Sequence, residues 1–152
     1  MVSGSCQHIW QVLEQVKDPE IPVLSLPDLG VIRKVQENST EIIVTISPTY
    51  SGCPAMELME QDIITLLADE FDKRVLVKTQ LSPAWSTDWI TEKGKKQLFA
   101  YGIMPPTKSK EIICPQCRSA QVELISQFGS TACKALYRCK DCLEPFDYFK
   151  CH

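Results

Sequence analysis

The chain has 152 residues, of which 44 % are hydrophobic and 23 % charged, and a formal net charge of −3. This balance fits one ordinary folded domain, or a domain with a small appendage, and excludes global disorder. No apolar run approaches the roughly 18 to 20 residues that span a bilayer, and MVSGSCQHIW lacks the basic segment and long apolar stretch of an export signal, so a cytoplasmic protein with no membrane partner is expected.

From Gln7 to Val16 the apolar residues Ile9, Leu13 and Val16, with Trp10 beside them, lie on one helical face. Asp18-Pro19-Glu20 ends that helix, because proline disfavours the α conformation in the residue before it. PVLSLPDLG, punctuated by Pro22, Pro27 and Gly30, reads as a stiff connection. Val31 to Val35 is a short strand, Glu37 to Thr40 a polar turn, and EIIVTIS, residues 41–47, a β-branched strand that pairs back as a hairpin. After the loop PTYSGCPA, residues 55–71 place Met56, Met59, Ile63, Leu66, Leu67 and Phe71 at helical spacing. Val75 to Leu81 is a third strand, followed by the loop SPAWSTDW. Thr91 can cap a last helix that runs to about Tyr101, with Gly102 in the left-handed conformation.

Met104-Pro105-Pro106-Thr107 reads as the domain boundary. The expected fold class is therefore α+β: an α-β-β-α-β-α domain over residues 1–107, then a small β domain over residues 108–152. The second segment is short of apolar side chains for a core of its own and calls for a staple. Residues 1–107 carry nine Lys or Arg against fourteen Asp or Glu, a balance of −5, and residues 108–152 carry seven against five, a balance of +2. Neither has the dense basic footprint of a nucleic-acid binder, so a protein partner is expected.

Six of the eight cysteines lie between Cys114 and Cys151. Cytosolic thiols stay reduced, and reduced cysteines in C-x-x-C pairs point to metal. Cys114-Pro-Gln-Cys117 and Cys139-Lys-Asp-Cys142 are 21 residues apart, the zinc-ribbon spacing. Strands over about 121–127 and 134–138 would bring the two knuckles together. Four thiolates fill a tetrahedral shell and leave no open position for a reactive water, so the expected cofactor is structural zinc, with iron as the other ion such a site suits. Cys133 and Cys151 are auxiliary thiols with two readings, a second soft site or redox pair, or a packed thiol and an incidental tail thiol.

Cys53 stands just before Pro54, at or next to the N-cap of the 55–71 helix. Unpaired N–H groups and the positive end of the helix dipole favour its thiolate, which could act as a nucleophile or bind a soft metal or cluster. The only histidines, His8 and His152, lie near the chain ends, so ligation is the better functional reading, with a buried inert thiol as the other. Asp18, Glu20 and Asp28 crowd the proline-rich loop. Capping explains Asp18 and Asp28, and a ligand or partner surface around Cys53 is the alternative. The tryptophans read as core or interface anchors.

DPEIPVLSLPDLGVIRKV at 18–35 and SPTYSGCPAME at 47–57 resemble the iron–sulfur assembly domain of the SufT/MIP family. LSPAWSTDWIT at 81–91 and FGSTACKALYRCKDCLEPFDYFKC at 128–151 resemble the PaaD (or PaaJ) family of accessory subunits of the phenylacetyl-CoA epoxidase system. The resemblance covers about residues 10–151. It implies a non-catalytic maturation factor in phenylacetate catabolism that helps deliver iron or an iron–sulfur cluster. Its reactive cysteine corresponds to Cys53, its acidic turn to Asp18-Pro19-Glu20. The implied partners are the di-iron oxygenase, the iron–sulfur reductase and iron–sulfur scaffold proteins. A redox or electron-transfer subunit, or a purely structural one, is the alternative. The chain has neither the Glu-x-x-His pairs of di-iron sites nor a glycine-rich nucleotide loop, so it is not expected to run the epoxidation itself.

Overall fold

In the computed structural model of the chain the described residues are 4–49, 55–109 and 111–151. Two compact units form, Met1–Thr91 and Glu92–His152.

The first unit begins with α1, Gly4–Leu13, whose Ile9 and Leu13 are fully buried, and the chain leaves it through a turn that also buries Val16. The segment expected as a plain connection contains a short helix, α2, Leu26–Leu29. Two local signals nucleate it. The Ser25 hydroxyl accepts the Asp28 N–H at 3.2 Å, and Gly30 closes the helix at φ 81°, where a side chain would be strained.

Strands β1 (Ile32–Glu37) and β2 (Glu41–Ile46) form the expected antiparallel hairpin. Asn38 makes its turn: Oδ1 accepts the N–H groups of Thr40 at 2.9 Å and Glu41 at 2.8 Å. Helix α3, Met56–Phe71, then carries the chain to β3, Arg74–Thr79, which pairs parallel to β2. A parallel pair needs such a crossover, and the sheet order is β1-β2-β3. Alternation along β2 buries Ile42, Val44 and Ile46 on one face, the same core that takes Met59, Ile63 and Leu67 of α3. A 3-10 turn at Thr87–Trp89 ends the unit.

The second unit starts earlier than the 107/108 boundary read from the sequence. Helix α4, Glu92–Tyr101, and β4, Ile103–Met104, both belong to it, and Met104 pairs with Tyr148 in a parallel ladder. Strands β5 (Val122–Ser126), β6 (Lys134–Cys139) and β7 (Pro145–Phe149) complete a sheet of order β4-β7-β6-β5. The apolar poverty expected of residues 108–152 is relieved from upstream. Met104 is buried with Cys114, Cys139, Phe146 and Tyr148, and Phe99 packs against them. Gly102 takes the left-handed conformation at φ 98°, as expected at the end of the helix.

Candidate metal centre and the cysteine-bearing domain

Each C-x-x-C pair folds into the same turn. The Cys114 N–H donates to the Ser119 carbonyl at 2.8 Å, and the Cys139 N–H to the Glu144 carbonyl at 3.0 Å. Inside each turn a backbone N–H points at the first sulfur: Gln116 to Cys114 Sγ and Cys142 to Cys139 Sγ, both at 3.4 Å. Antiparallel pairing of β5 with β6, Val122 opposite Cys139, draws the knuckles together. The Ser119 hydroxyl joins them again by donating to Asp141. The two knuckles are the same device used twice.

The four sulfurs lie within 4.8 Å of one another, with Cys114–Cys142 at 3.7 Å and Cys117–Cys139 at 3.5 Å. A tetrahedral ion with sulfur ligands at roughly 2.3 Å needs sulfurs about 3.8 Å apart. The quartet fits that shell and is too wide for disulfides, whose sulfurs stand about 2 Å apart. The first cysteine of each knuckle is buried and the second exposed, so the site sits at the rim of the unit's core.

The four thiols do not ionise alike. The Cys142 N–H, above all, brings Cys139 down to about 7, aided by the Asp141 N–H against desolvation. Cys142 has the Glu144 N–H pulling it down, but desolvation and the neighbouring sulfurs, Cys114 first, win and push it up to about 12. Cys117 is likewise raised: the Ser119 N–H and the Cys142 sulfur pull it down, but the bonds to Cys139 and Cys114 together with desolvation outweigh them. Four negative sulfurs in one pocket repel one another, and a bound cation is what makes the fully ionised set favourable.

Cys133 and Cys151 have different surroundings. Cys133 is buried, with Thr131 Oγ1 3.0 Å from its sulfur. Cys151 is exposed, 3.7 Å from the Tyr148 hydroxyl and donating to the Thr107 carbonyl at 3.4 Å. Burial, with the Cys151 hydrogen bond, holds Tyr148 up to about 12.

In the first unit, Asp18 caps its own turn. Its Oδ1 accepts the N–H groups of Glu20 at 2.7 Å and Ile21 at 3.0 Å, and the residue is buried. Glu20 is half-buried. Asp28 accepts the hydroxyls of Ser25 at 3.0 Å and Thr91 at 2.9 Å, which ties the end of the unit to α2. Cys53 lies outside the described residues. The reading of Cys53 as the N-cap of α3 or its neighbour therefore falls on residues outside the described ones, and α3 is described from Ala55 onward. Ser47, at the end of β2, is fully buried, and its hydroxyl has no hydrogen-bond partner among the described residues.

Sequence reasoning missed two features of the site. One is the Ser119–Asp141 bridge between the knuckles. The other is the pair of non-glycine residues in the left-handed conformation just after each second cysteine, Arg118 at φ 63° and Leu143 at φ 68°. The repeated position after C-x-x-C was the signal that could have found the second.

An α-α-β-β-α-β unit followed by a four-cysteine ribbon defines the class: a small α+β domain joined to a metal-binding β ribbon. Residues 7–77 match the family described as iron–sulfur cluster assembly protein, and residues 103–150 the PaaD zinc beta ribbon domain. Two solved structures share the fold of the first part. One is a domain of unknown function, DUF59, from Bacillus anthracis, with a TM-score of 0.57 and 23 % identity over 60 % of this chain and 89 % of that one. The other is a conserved hypothetical protein from Thermotoga maritima, with a TM-score of 0.53 and 18 % identity over 64 % and 97 %. The chain is also 48 % identical over 151 residues to a putative 1,2-phenylacetyl-CoA epoxidase subunit of Escherichia coli K12, covering 95 % of this chain and 92 % of the relative. The chain belongs to the PaaD family of putative 1,2-phenylacetyl-CoA epoxidase subunits.

Proposed function

We propose that the protein is a non-catalytic accessory factor of a phenylacetyl-CoA epoxidase system in phenylacetate catabolism, and that it assists delivery of iron or an iron–sulfur cluster to a component of that system. The carrying observation is the 48 % identity along almost the whole chain to a putative epoxidase subunit, together with the iron–sulfur assembly match over residues 7–77, which includes Cys53, Asp18 and Glu20. In this reading Cys53 takes the iron or cluster as cargo and releases it to the client. Asp18 and Glu20, the acidic turn of the resemblance, would join Cys53 in binding that cargo. A thiolate suits such cargo because it binds iron strongly yet exchanges.

Cys114, Cys117, Cys139 and Cys142 would hold a resident zinc ion. The ion supplies a fixed charge and four bonds that organise the ribbon, with no position left for a substrate. The clients would be the di-iron oxygenase, the iron–sulfur reductase, or both.

Co-expression of the epoxidase components with the Cys53→Ser chain tests the delivery role. The expected result is a folded variant with unchanged zinc and an epoxidase system deficient in iron. Full iron loading alongside that variant would remove Cys53 from the mechanism.

A further inference from the structure

We propose that the groove between α4 and the first cysteine knuckle docks an acidic segment of a protein partner that also carries an apolar side chain. This deepens the accessory reading above, on which it rests, by giving the chemistry of the client surface.

The groove measures about 640 Å³, within the range of sites that hold a few side chains. Phe99 and Pro115 give it apolar lining, Lys96 and Arg118 cationic lining. Among the described residues Glu92 is the only carboxylate lining it, and it stands 3.4 Å from Lys95, a pair that largely cancels. Lys96 and Arg118 are exposed, and among the described residues neither has a carboxylate partner. Apolar and cationic surface side by side select an anion with an apolar body. A simple anion gains nothing from Phe99 and Pro115, and an uncharged apolar ligand gains nothing from the two cations.

The charge of the unit points the same way. Divided at the structural boundary, residues 1–91 carry six Lys or Arg against thirteen Asp or Glu, a balance of −7. Residues 92–152 carry ten against six, a balance of +4. The ribbon unit is therefore the half that attracts an acidic partner. A nucleic acid would need a continuous basic track, and two cations beside an apolar lining do not form one.

The backbone supplies an independent observation. The turn after Cys117 requires a left-handed residue, and the Arg118 N–H closes it on the Cys114 carbonyl at 2.8 Å. Glycine takes that conformation without steric penalty, whereas a side chain there is disfavoured. Arginine occupies the position, its guanidinium 5.9 Å from the centre of the Phe99 ring. The turn itself does not select arginine, since Leu143 takes the matching position in the second knuckle, and what distinguishes Arg118 is that it sets a cation beside the aromatic lining of the groove.

The test is a titration of the isotope-labelled, full-length Cys53→Ser chain, zinc-loaded, followed by amide chemical shifts. The probes are two synthetic peptides, Glu-Phe-Glu-Leu-Glu and pentaglutamate. The first is expected to shift the amides of Lys96, Phe99 and Arg118, with binding that weakens several-fold as salt is raised. Pentaglutamate should bind at least five-fold more weakly. Arg118→Gly should lose at least five-fold in affinity while its thermal midpoint stays equal or rises, an opposition that a merely structural arginine would not produce. Lys96→Glu, on the exposed face of α4, should lose as much. Silence from both peptides, equal affinity for the two, or unchanged binding by Arg118→Gly and Lys96→Glu would overturn the proposal. Because the titrated chain lacks Cys53, a failure here leaves the cargo role of that thiol standing, and a failure of iron loading leaves the groove standing.

Discussion

The indole N–H of Trp85 donates to the carbonyl of Leu29 at 3.1 Å, across 56 residues of sequence. Around that bond the tryptophan-rich loop closes on α2. A Cβ added to Gly30 would stand 2.5 Å from the Trp89 carbonyl oxygen, Arg33 lies 3.5 Å over the Trp89 ring, and the Thr91 N–H donates to the Asp28 carbonyl at 2.9 Å. The two motifs LPDLG and AWSTDWIT are one packed structure.

Gly30→Ala should therefore destabilise the first unit by at least about 2 kcal/mol, because left-handed strain adds to a backbone clash. Trp85→Phe keeps most of the packing and should lose about 1 kcal/mol with the hydrogen bond. Urea denaturation followed by tryptophan fluorescence measures both. An unaffected Gly30→Ala would mean that the loop does not close on Gly30.

Chelation of the ribbon metal should unfold one unit and spare the other. All three tryptophans, Trp10, Trp85 and Trp89, lie in residues 1–91, so their fluorescence should hold. Tyr137 packs against Phe146 and Tyr148, with ring centres 5.9 and 5.8 Å apart, and the near-ultraviolet tyrosine signal should collapse. Metal binding is folding energy for so small a core. Loss of both signals together would show the units to be one cooperative block.

Acid should release the metal before it unfolds the first unit. In the metal-bound state all four thiols are ionised, far below their ordinary proton affinity, so the stability they contribute is present at high pH and lost as pH falls. Cys139, already lowered to about 7, is half-ionised near neutrality and gives up about half a proton on binding, while Cys142, held up to about 12, gives up one in full. Calorimetry in buffers of different ionisation heat should show net proton release on zinc uptake, and a zinc dye should report loss of the ion on acidification. Uptake without proton release would argue against thiolate ligation.

Leu143→Gly should raise the melting temperature of the ribbon unit or leave it unchanged. Leu143 is 66 % exposed and sits at φ 68°. Removing roughly 1 kcal/mol of left-handed strain is partly offset by the greater chain entropy of glycine. Scanning calorimetry of the zinc-loaded protein checks this, and a clear loss of stability would show that the leucine packs in a way its exposure conceals.

The elements that repeat a local pattern were legible from residues alone. The α3 face, the β1–β2 hairpin and the two C-x-x-C knuckles depend on interactions within a few residues, which spacing records directly. The four metal-site cysteines were legible for the same reason, since each knuckle is a local turn and only its partner is distant. Helix α2 was hidden behind its prolines, although Ser25, Asp28 and Gly30 marked its ends.

What tertiary structure alone decided is allegiance. Helix α4 and Met104 look from the sequence like the close of the first domain. They join the ribbon because Met104 finds a ladder partner in Tyr148, and because Phe99 covers a core that residues 108–152 could not fill. Asp18 and Asp28 look alike in the sequence, yet one caps its own turn and the other binds a hydroxyl 63 residues away. Local sequence encodes which residues can turn, cap or ligate, whereas burial and long-range pairing choose their partners, and those are properties of the whole fold.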